Sequence, residues 1–302
     1  MSVVRSALKA ARSCHSQAVG AAVAQLPVLE PLFIATGRRM AATSHLLGTV
    51  YWFAEDDLVR RLRKSGNRFR KMSIAGLDVH VDVTDGSARL HYFHGEPYEA
   101  GLVRALRDYL SPRDVFVDVG ANIGYFTVLA ARLVGDGGRV VAFEPHPDAL
   151  RILRASLDIN RVAHLADVIE AVAGAVHGGT ARLFVSSDPV LSTLDPARSP
   201  ARDHFHFDGF IPVRQVTVDQ WFAEHPALAA RIGAIKIDVE GTEADVLAGM
   251  QQTRLASPRA VIICETAAGS AADAQLKQEG YTAEALDVLG DTFGNYAYSK
   301  RP

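Results

Sequence analysis

Apolar positions change their period along the chain. From Glu55 to Lys64 (EDDLVRRLRK) they recur at helical spacing among charges, which predicts an amphipathic helix with a solvated basic face. Pro27 and Pro31 bar a single long helix before it. Ile74, Leu77, Val79, Val81 and Val83 then lead into Asp85-Gly86, a pattern that predicts a small β-hairpin turning at that dipeptide.

From residue 112 continuous apolar runs alternate with helical stretches. The pattern predicts strands at Val115–Val119, Arg139–Phe143, Ala166–Val172, Ile235–Val239 and Arg259–Cys264. Helices are expected at Ile123–Val134, Pro147–Ile159, Glu243–Met250 and Ala271–Glu279. Fully apolar strands joined by helices imply a parallel sheet covered on both faces. Short strands at Ala181–Val185 and Pro212–Val216 fall between the two halves, and Tyr281–Val288 with Tyr296–Ser299 suits a closing antiparallel hairpin. The expected architecture is a doubly wound, mostly parallel α/β sheet over residues 95–302, preceded by a helical and hairpin extension over residues 1–94. In such a sheet the ligand crevice lies at the carboxyl ends of the strands.

Composition narrows the partners. The 302 residues carry 32 Lys+Arg against 34 Asp+Glu, and 48% are hydrophobic. These are globular values, and the near-neutral balance gives no broad basic footprint for nucleic acid or an anionic membrane. Two cysteines, Cys14 and Cys264, form no metal-binding pair and fit a reducing compartment, hence a cytoplasmic location. No apolar run approaches the roughly 18–20 residues of a transmembrane helix. Residues 1–29 hold Arg5, Lys9 and Arg12 and no acid, as a transit peptide or weak signal sequence does. Their apolar piece at 18–24 is short and Ala/Gly-rich, however, so an N-terminal helix or frayed tail is expected instead.

The chemistry concentrates at two strand ends. In Asp118-Val119-Gly120-Ala121-Asn122-Ile123-Gly124 a strand turns into a helix; Gly120 permits a tight turn with close ligand approach, and Gly124 permits close helix packing. Glu144 ends the next strand, 24 residues after Gly120, where a carboxylate accepts both hydroxyls of a ribose. Together they predict a nucleoside-bearing cofactor. A dinucleotide is disfavoured, because Asn122 replaces the middle glycine, Tyr125-Phe126 crowd the helix start and Asp118 lies where a pyrophosphate would sit. That Asp suits an ammonium group, as S-adenosylmethionine carries. In the second half, Lys236-Ile237-Asp238-Val239-Glu240-Gly241 brings a cation and two acids to another strand end, and Thr242 with Asp245 has capping-box spacing.

With these motifs in view, the chain resembles the FkbM family of S-adenosylmethionine-dependent methyltransferases. The matching stretches are DVFVDVGANIGYFT, GRVVAFEPHP, LDINRV, VTVDQW, IKIDVEGTEADVLAG and IICE, in family order, across about residues 95–266. The resemblance implies a class I methyltransferase fold and methylation of a hydroxyl on a sugar, glycolipid or secondary metabolite. It also adds Tyr98 and Glu99 to the cofactor set of Asp118, Gly120, Asn122, Gly124 and Glu144. Asp238 is the first candidate for the general base, with Glu240 as the alternative or as a partner orienting a sugar hydroxyl, and Lys236 either positions these carboxylates or lies along the strand in a salt bridge. His204 and His206 fall on a loop that is either a substrate loop or simply solvated. No metal ligand set is assigned, although Asp238, Glu240 and Glu265 at neighbouring strand ends offer carboxylates to Mg²⁺. The competing readings are an NAD-dependent oxidoreductase and a non-catalytic scaffold of the same fold.

Overall fold

The computed structural model describes residues 16–74, 76–84, 86–95, 99–186, 192–199, 207–289 and 292–300. Two compact units are present, one of Met1–Met72 with Val81–Tyr98 and one of Ser73–His80 with Glu99–Pro302.

The first unit is built on helices α1 (Ser16–Gln25), α2 (Glu30–Thr43) and α3 (His45–Ser65), with a 3-10 turn at Pro27–Leu29. Pro27 opens that turn and Pro31 falls in the first turn of α2, positions where a missing N–H costs nothing. The charged stretch 55–64 lies inside α3 and is laced by Arg60–Asp56 and Arg61–Asp57 pairs at 2.8 and 2.7 Å. Gly20 of α1 sits so close to α3 that a Cβ there would come within 2.8 Å of the Ala54 carbonyl. Strands β1 (Phe69–Ile74) and β2 (Leu77–Asp82) form a two-stranded sheet. Gly76 adopts φ +83° between them, so the hairpin does not turn at Asp85-Gly86 as expected. Gly86 instead begins helix α4 (Gly86–Arg89), which runs on as a π-helical turn at Leu90–His94, and Asp85 lies outside the described residues. Glu55, fully buried, accepts both Nε and Nη2 of Arg89 at 2.6 and 2.8 Å and so fixes α4 to α3.

The second unit begins with α5 (Ala100–Tyr109) and enters its sheet through β3 (Val115–Val119), α6 (Tyr125–Val134), β4 (Arg139–Phe143), α7 (Pro147–Ile159) and β5 (Ala166–Ile169). The chain then makes a separate small sheet of β6 (Val172–Ala173), β7 (Thr180–Ser186), β8 (Ser192–Thr193) and β9 (Phe207–Val216), in the order β6-β9-β7-β8. After α8 (Val218–Ala223) and α9 (Pro226–Ala229) it returns through β10 (Ile232–Ile237), α10 (Glu243–Ala248), α11 (Gln251–Ala256), β11 (Val261–Ala267) and α12 (Ala271–Gln278). Strands β12 (Thr282–Leu289) and β13 (Phe293–Ser299) close it as an antiparallel hairpin.

The seven-stranded order is β12-β13-β11-β10-β3-β4-β5, parallel from β11 to β5 and antiparallel at β13. This is the doubly wound sheet expected, with β3 and β10 adjacent at its centre. Apolar side chains of the inner strands, among them Val117, Val119, Phe143, Ile235, Ile237 and Ile262, fill one core with Met250, Leu276 and Tyr298.

Two departures have local causes. The strand expected at Ala166–Val172 splits: Ala171 N–H turns back to the Ile169 carbonyl, and Val172–Ala173 pair with β9 rather than with β4. The helix expected at Glu243–Met250 stops at Ala248, because Gly249 packs against the Gly174 carbonyl; a Cβ at Gly249 would stand 1.9 Å from that oxygen. A Gly249→Ala substitution is therefore expected to destabilise the protein by about 2 kcal/mol, since neither backbone can retreat without breaking its own pairing. Urea unfolding measures it, and an unchanged midpoint contradicts the packing described.

Candidate active site

Parallel pairing sets Asp118 of β3 directly opposite Lys236 of β10, and Val119 opposite both Ile237 and Phe143 of β4. Three chains thus leave the sheet at one level. At that level the turn after β3 meets the turn after β10. Gly120 has φ +80°, and a Cβ on it would lie 1.8 Å from the Asp238 carbonyl oxygen, so only glycine lets the two turns close. Gly124, at φ +87°, presses on Leu153 of α7 and is the N-cap of α6, which is why that helix starts at Tyr125 and not at Ile123.

Glu144, the residue after β4, is almost fully buried. Its Oε2 accepts the Asn122 N–H at 2.7 Å and its Oε1 accepts the His146 N–H at 2.8 Å. Asn122 reaches it by adopting φ +49°. Burial pushes the Glu144 carboxyl up to about 7, against the pull of the two N–H groups. Each oxygen keeps a further lone pair, so the group remains able to accept two hydroxyls.

Lys236 is the centre of the site. Only 3% of its side chain is exposed, and its Nζ lies 2.9 Å from Asp238 Oδ2, 3.8 Å from Asp118 Oδ1 and 3.4 Å from the Gly120 carbonyl. The Phe126 ring lies beneath the ammonium at 5.6 Å. Burial alone would lower the pKa of this amine, but the two carboxylates outweigh it and hold the pKa above the ordinary lysine value. Asp118 is wholly enclosed. Thr127 Oγ1 donates to its Oδ2 at 2.6 Å, and Oδ1 has no hydrogen-bond donor among the described residues. Burial raises its pKa, with Lys236 and Thr127 opposing. Asp238 is about one-third exposed; burial raises its pKa, but Lys236 outweighs that and holds it below the usual range.

Glu265 of β11 stands beside Asp238. Burial first, then the Asp238 charge, drives its carboxyl well above the usual value. One carboxylate oxygen each from Asp238, Glu240 and Glu265 gathers within 4.8 Å of the others. Such a set suits either a shared proton or a hard divalent cation held through oxygen.

The β10–α10 turn is held from both sides. Glu240 adopts φ +55°, and its carbonyl accepts the Thr193 hydroxyl at 2.8 Å. Gly241, at φ +101°, sits where a Cβ would meet the Arg198 carbonyl at 2.4 Å, and Arg198 pairs with Asp245 at 2.7 Å. Residues 192–199 therefore pack against the turn that carries Glu240. The capping box does not form. Thr242 turns its hydroxyl to the Val239 carbonyl, and Glu243 reaches back to the Gly241 N–H at 2.8 Å, one residue nearer than the sequence spacing suggests.

Asp118, Lys236 and Asp238 are thus in one cluster, with Glu240 at its edge, while Asn122 and Glu144 form a second. Gly120 joins the two. Glu99 precedes α5 at φ +40°, and its charge is felt at Tyr125, Lys236 and Glu265. Tyr98, His204, His206 and Cys14 lie outside the described residues. Thr127, Thr193, Arg198 and Glu243 were not singled out from sequence. Thr127 alone left a trace there, since it sits one helical turn inside α6, at the distance needed to face back to the strand end.

A family model described as the methyltransferase FkbM domain matches residues 118–284. The 31-O-demethyl-FK506 methyltransferase FkbM of Streptomyces tacrolimicus is 33% identical over 165 residues, covering 47% of this chain and 61% of its own. Methyltransferase 1 of Beauveria bassiana (strain ARSEF 2860) is 29% identical over 151 residues, covering 46% and 59%. The match spans about three-fifths of each relative's length. Among solved structures, the O-methyltransferase TomG from Streptomyces achromogenes, involved in tomaymycin synthesis and crystallised with S-adenosylmethionine, aligns with a TM-score of 0.40 at 14% identity, covering 68% of this chain and 82% of that one. With the family model covering both strand ends of the site and the sheet between them, the chain belongs to the FkbM methyltransferase family and has the class I methyltransferase fold.

Proposed function

We propose that the protein is an S-adenosylmethionine-dependent O-methyltransferase that acts on a hydroxyl of a sugar, glycolipid or secondary metabolite. The observation that carries this reading is the carboxylate Asp238, partly open to solvent, held ionised by buried Lys236 beside the Gly120 turn. The name of the Streptomyces relative, 31-O-demethyl-FK506 methyltransferase, supports a hydroxyl acceptor.

The residues fit the cofactor. Glu144 offers free lone pairs for a ribose, and the Gly120–Gly124 turn brings bare backbone beside it. When bound, S-adenosylmethionine supplies an electrophilic methyl group on a sulfonium centre. Lys236 offsets only part of the charge of Asp118 and Asp238, leaving Asp238 the exposed anion placed to take the acceptor hydroxyl proton. A carboxylate held this low is a weak base by itself. Glu265, whose carboxyl is driven well above the usual value by burial and by the Asp238 charge, hydrogen-bonds Asp238 and titrates together with it as one pair. Glu240 borders the acceptor side and orients a second hydroxyl.

Burial raises the Glu144 pKa in the free protein, whereas ribose hydroxyls donate to its ionised form, so cofactor binding expels a proton. Affinity for S-adenosylhomocysteine is therefore expected to climb with pH through about 7, by roughly tenfold between about pH 6 and about pH 8. Calorimetry across that range checks it, and Glu144→Gln should bind more weakly with a flat profile. Binding of NADH in place of S-adenosylhomocysteine would overturn the reading.

Asp238→Asn is expected to lower methyl transfer by about 100-fold or more, while S-adenosylhomocysteine affinity changes by less than about threefold. Mass-spectrometric detection of methylated product, from a panel of sugar, glycolipid and polyketide alcohols, is the assay. Unchanged turnover removes Asp238 from the mechanism.

A further inference from the structure

Whole-chain neutrality conceals an uneven surface. Of the fourteen large apolar side chains exposed among the described residues, nine lie between Val19 and Phe53. Between the same two residues the sequence carries two basic residues, Arg38 and Arg39, and one acid. That acid, Glu30, is buried and bonded to Arg70 Nε and Nη2 at 2.8 Å each, so it adds no exposed negative charge.

The densest apolar cluster sits where α1 meets α2. The two helices meet at 115° across the 3-10 turn, and the vertex carries Leu26, Val28, Leu29 and Leu32, with Val28 82% and Leu32 66% exposed. The vertex is built rather than loose. Leu26 N–H bonds to the Ala22 carbonyl, Leu29 N–H to the Leu26 carbonyl, and Glu30 is tied to Arg70 one residue later. Ser16, Gly20 and Val23 form the opposite, buried side of α1, which leaves Val19 and Leu26 facing outward.

We propose that this α1–α2 vertex docks the protein peripherally on an anionic lipid surface. Four apolar side chains on a convex corner enter the headgroup–acyl boundary, and exposed Arg38 and Arg39 of α2 meet the anionic headgroups. No single helix among the described residues is long and apolar enough to cross a membrane, and α1 with α2 reach that hydropathy only as a bent pair, which suits lying in the interface. Charge selects lipid over a second copy of the chain, because self-association through this corner would add the exposed Arg38 and Arg39 charges of both copies with no exposed acid between Val19 and Phe53 to offset them.

Flotation of the full chain with phosphatidylcholine vesicles, with and without phosphatidylglycerol, tests this. Anionic vesicles should bind the protein at least about tenfold more tightly than neutral ones. Combined Leu26→Ser, Val28→Ser, Leu29→Ser and Leu32→Ser should weaken that binding by about 100-fold with the thermal midpoint unchanged. A second variant, Arg39→Glu, should lower binding to anionic vesicles alone. Failure to float, equal binding to neutral vesicles, or a serine variant that floats like the parent overturns the proposal. So does a lipid-free dimer in sedimentation velocity that the serine variant abolishes while vesicles capture nothing.

Discussion

One buried ammonium holds the centre of this fold and of its site. Lys236 projects from the middle strand of a parallel sheet into a space that water barely reaches, where an uncompensated charge would cost several kcal/mol. It is tolerated because β3 supplies Asp118 directly across the ladder and its own strand supplies Asp238 two residues on. The three charges are mutually dependent. Asp118, fully enclosed, has Lys236 as its nearest cation, and Asp238 keeps its low pKa through the same ammonium. Net charge in the triad is negative, so the carboxyl edge of the sheet presents an anionic field to a ligand without any long-range acidity of the chain.

That electrostatic arrangement works only if the two strand-end turns touch, and the touch is a backbone constraint. Gly120 is the residue that lets the Asp238 carbonyl approach, and Asn122 and Glu240 accept left-handed conformations nearby. Glu144 then answers the Asn122 N–H, joining the second cluster to the first. Residues 192–199 brace the other side through Thr193 and Arg198. The small sheet inserted between β5 and β10 thus positions the turn that bears the acids.

Much of this was legible in the sequence. Val115–Val119, Arg139–Phe143 and Pro147–Ile159 were read to the residue, because a strand buried on both faces and a proline-started helix leave little ambiguity. The carboxylates were found by their place at strand ends. What was not legible depends on tertiary contact. Helix α10 ends early for the sake of a carbonyl 75 residues away at Gly174. The hairpin turns at Gly76, since the basic strand Phe69–Ile74 carries no clear alternation. Glu265 was seen only as a metal donor, and its pairing with Asp238 becomes visible once β11 is placed beside β10. Local capping rules favoured Thr242 with Asp245, yet Asp245 is drawn to Arg198 and Glu243 takes its place.

In the function proposed above, the cofactor lies on the Gly120 turn, between the Glu144 carboxylate and the Lys236–Asp238 pair. A crystal structure with S-adenosylhomocysteine tests that most directly. It should show both ribose hydroxyls within hydrogen-bonding distance of Glu144 and the sulfur atom on the Asp238 side of the turn. A ligand bound elsewhere on the sheet, or with its ribose away from Glu144, would contradict it.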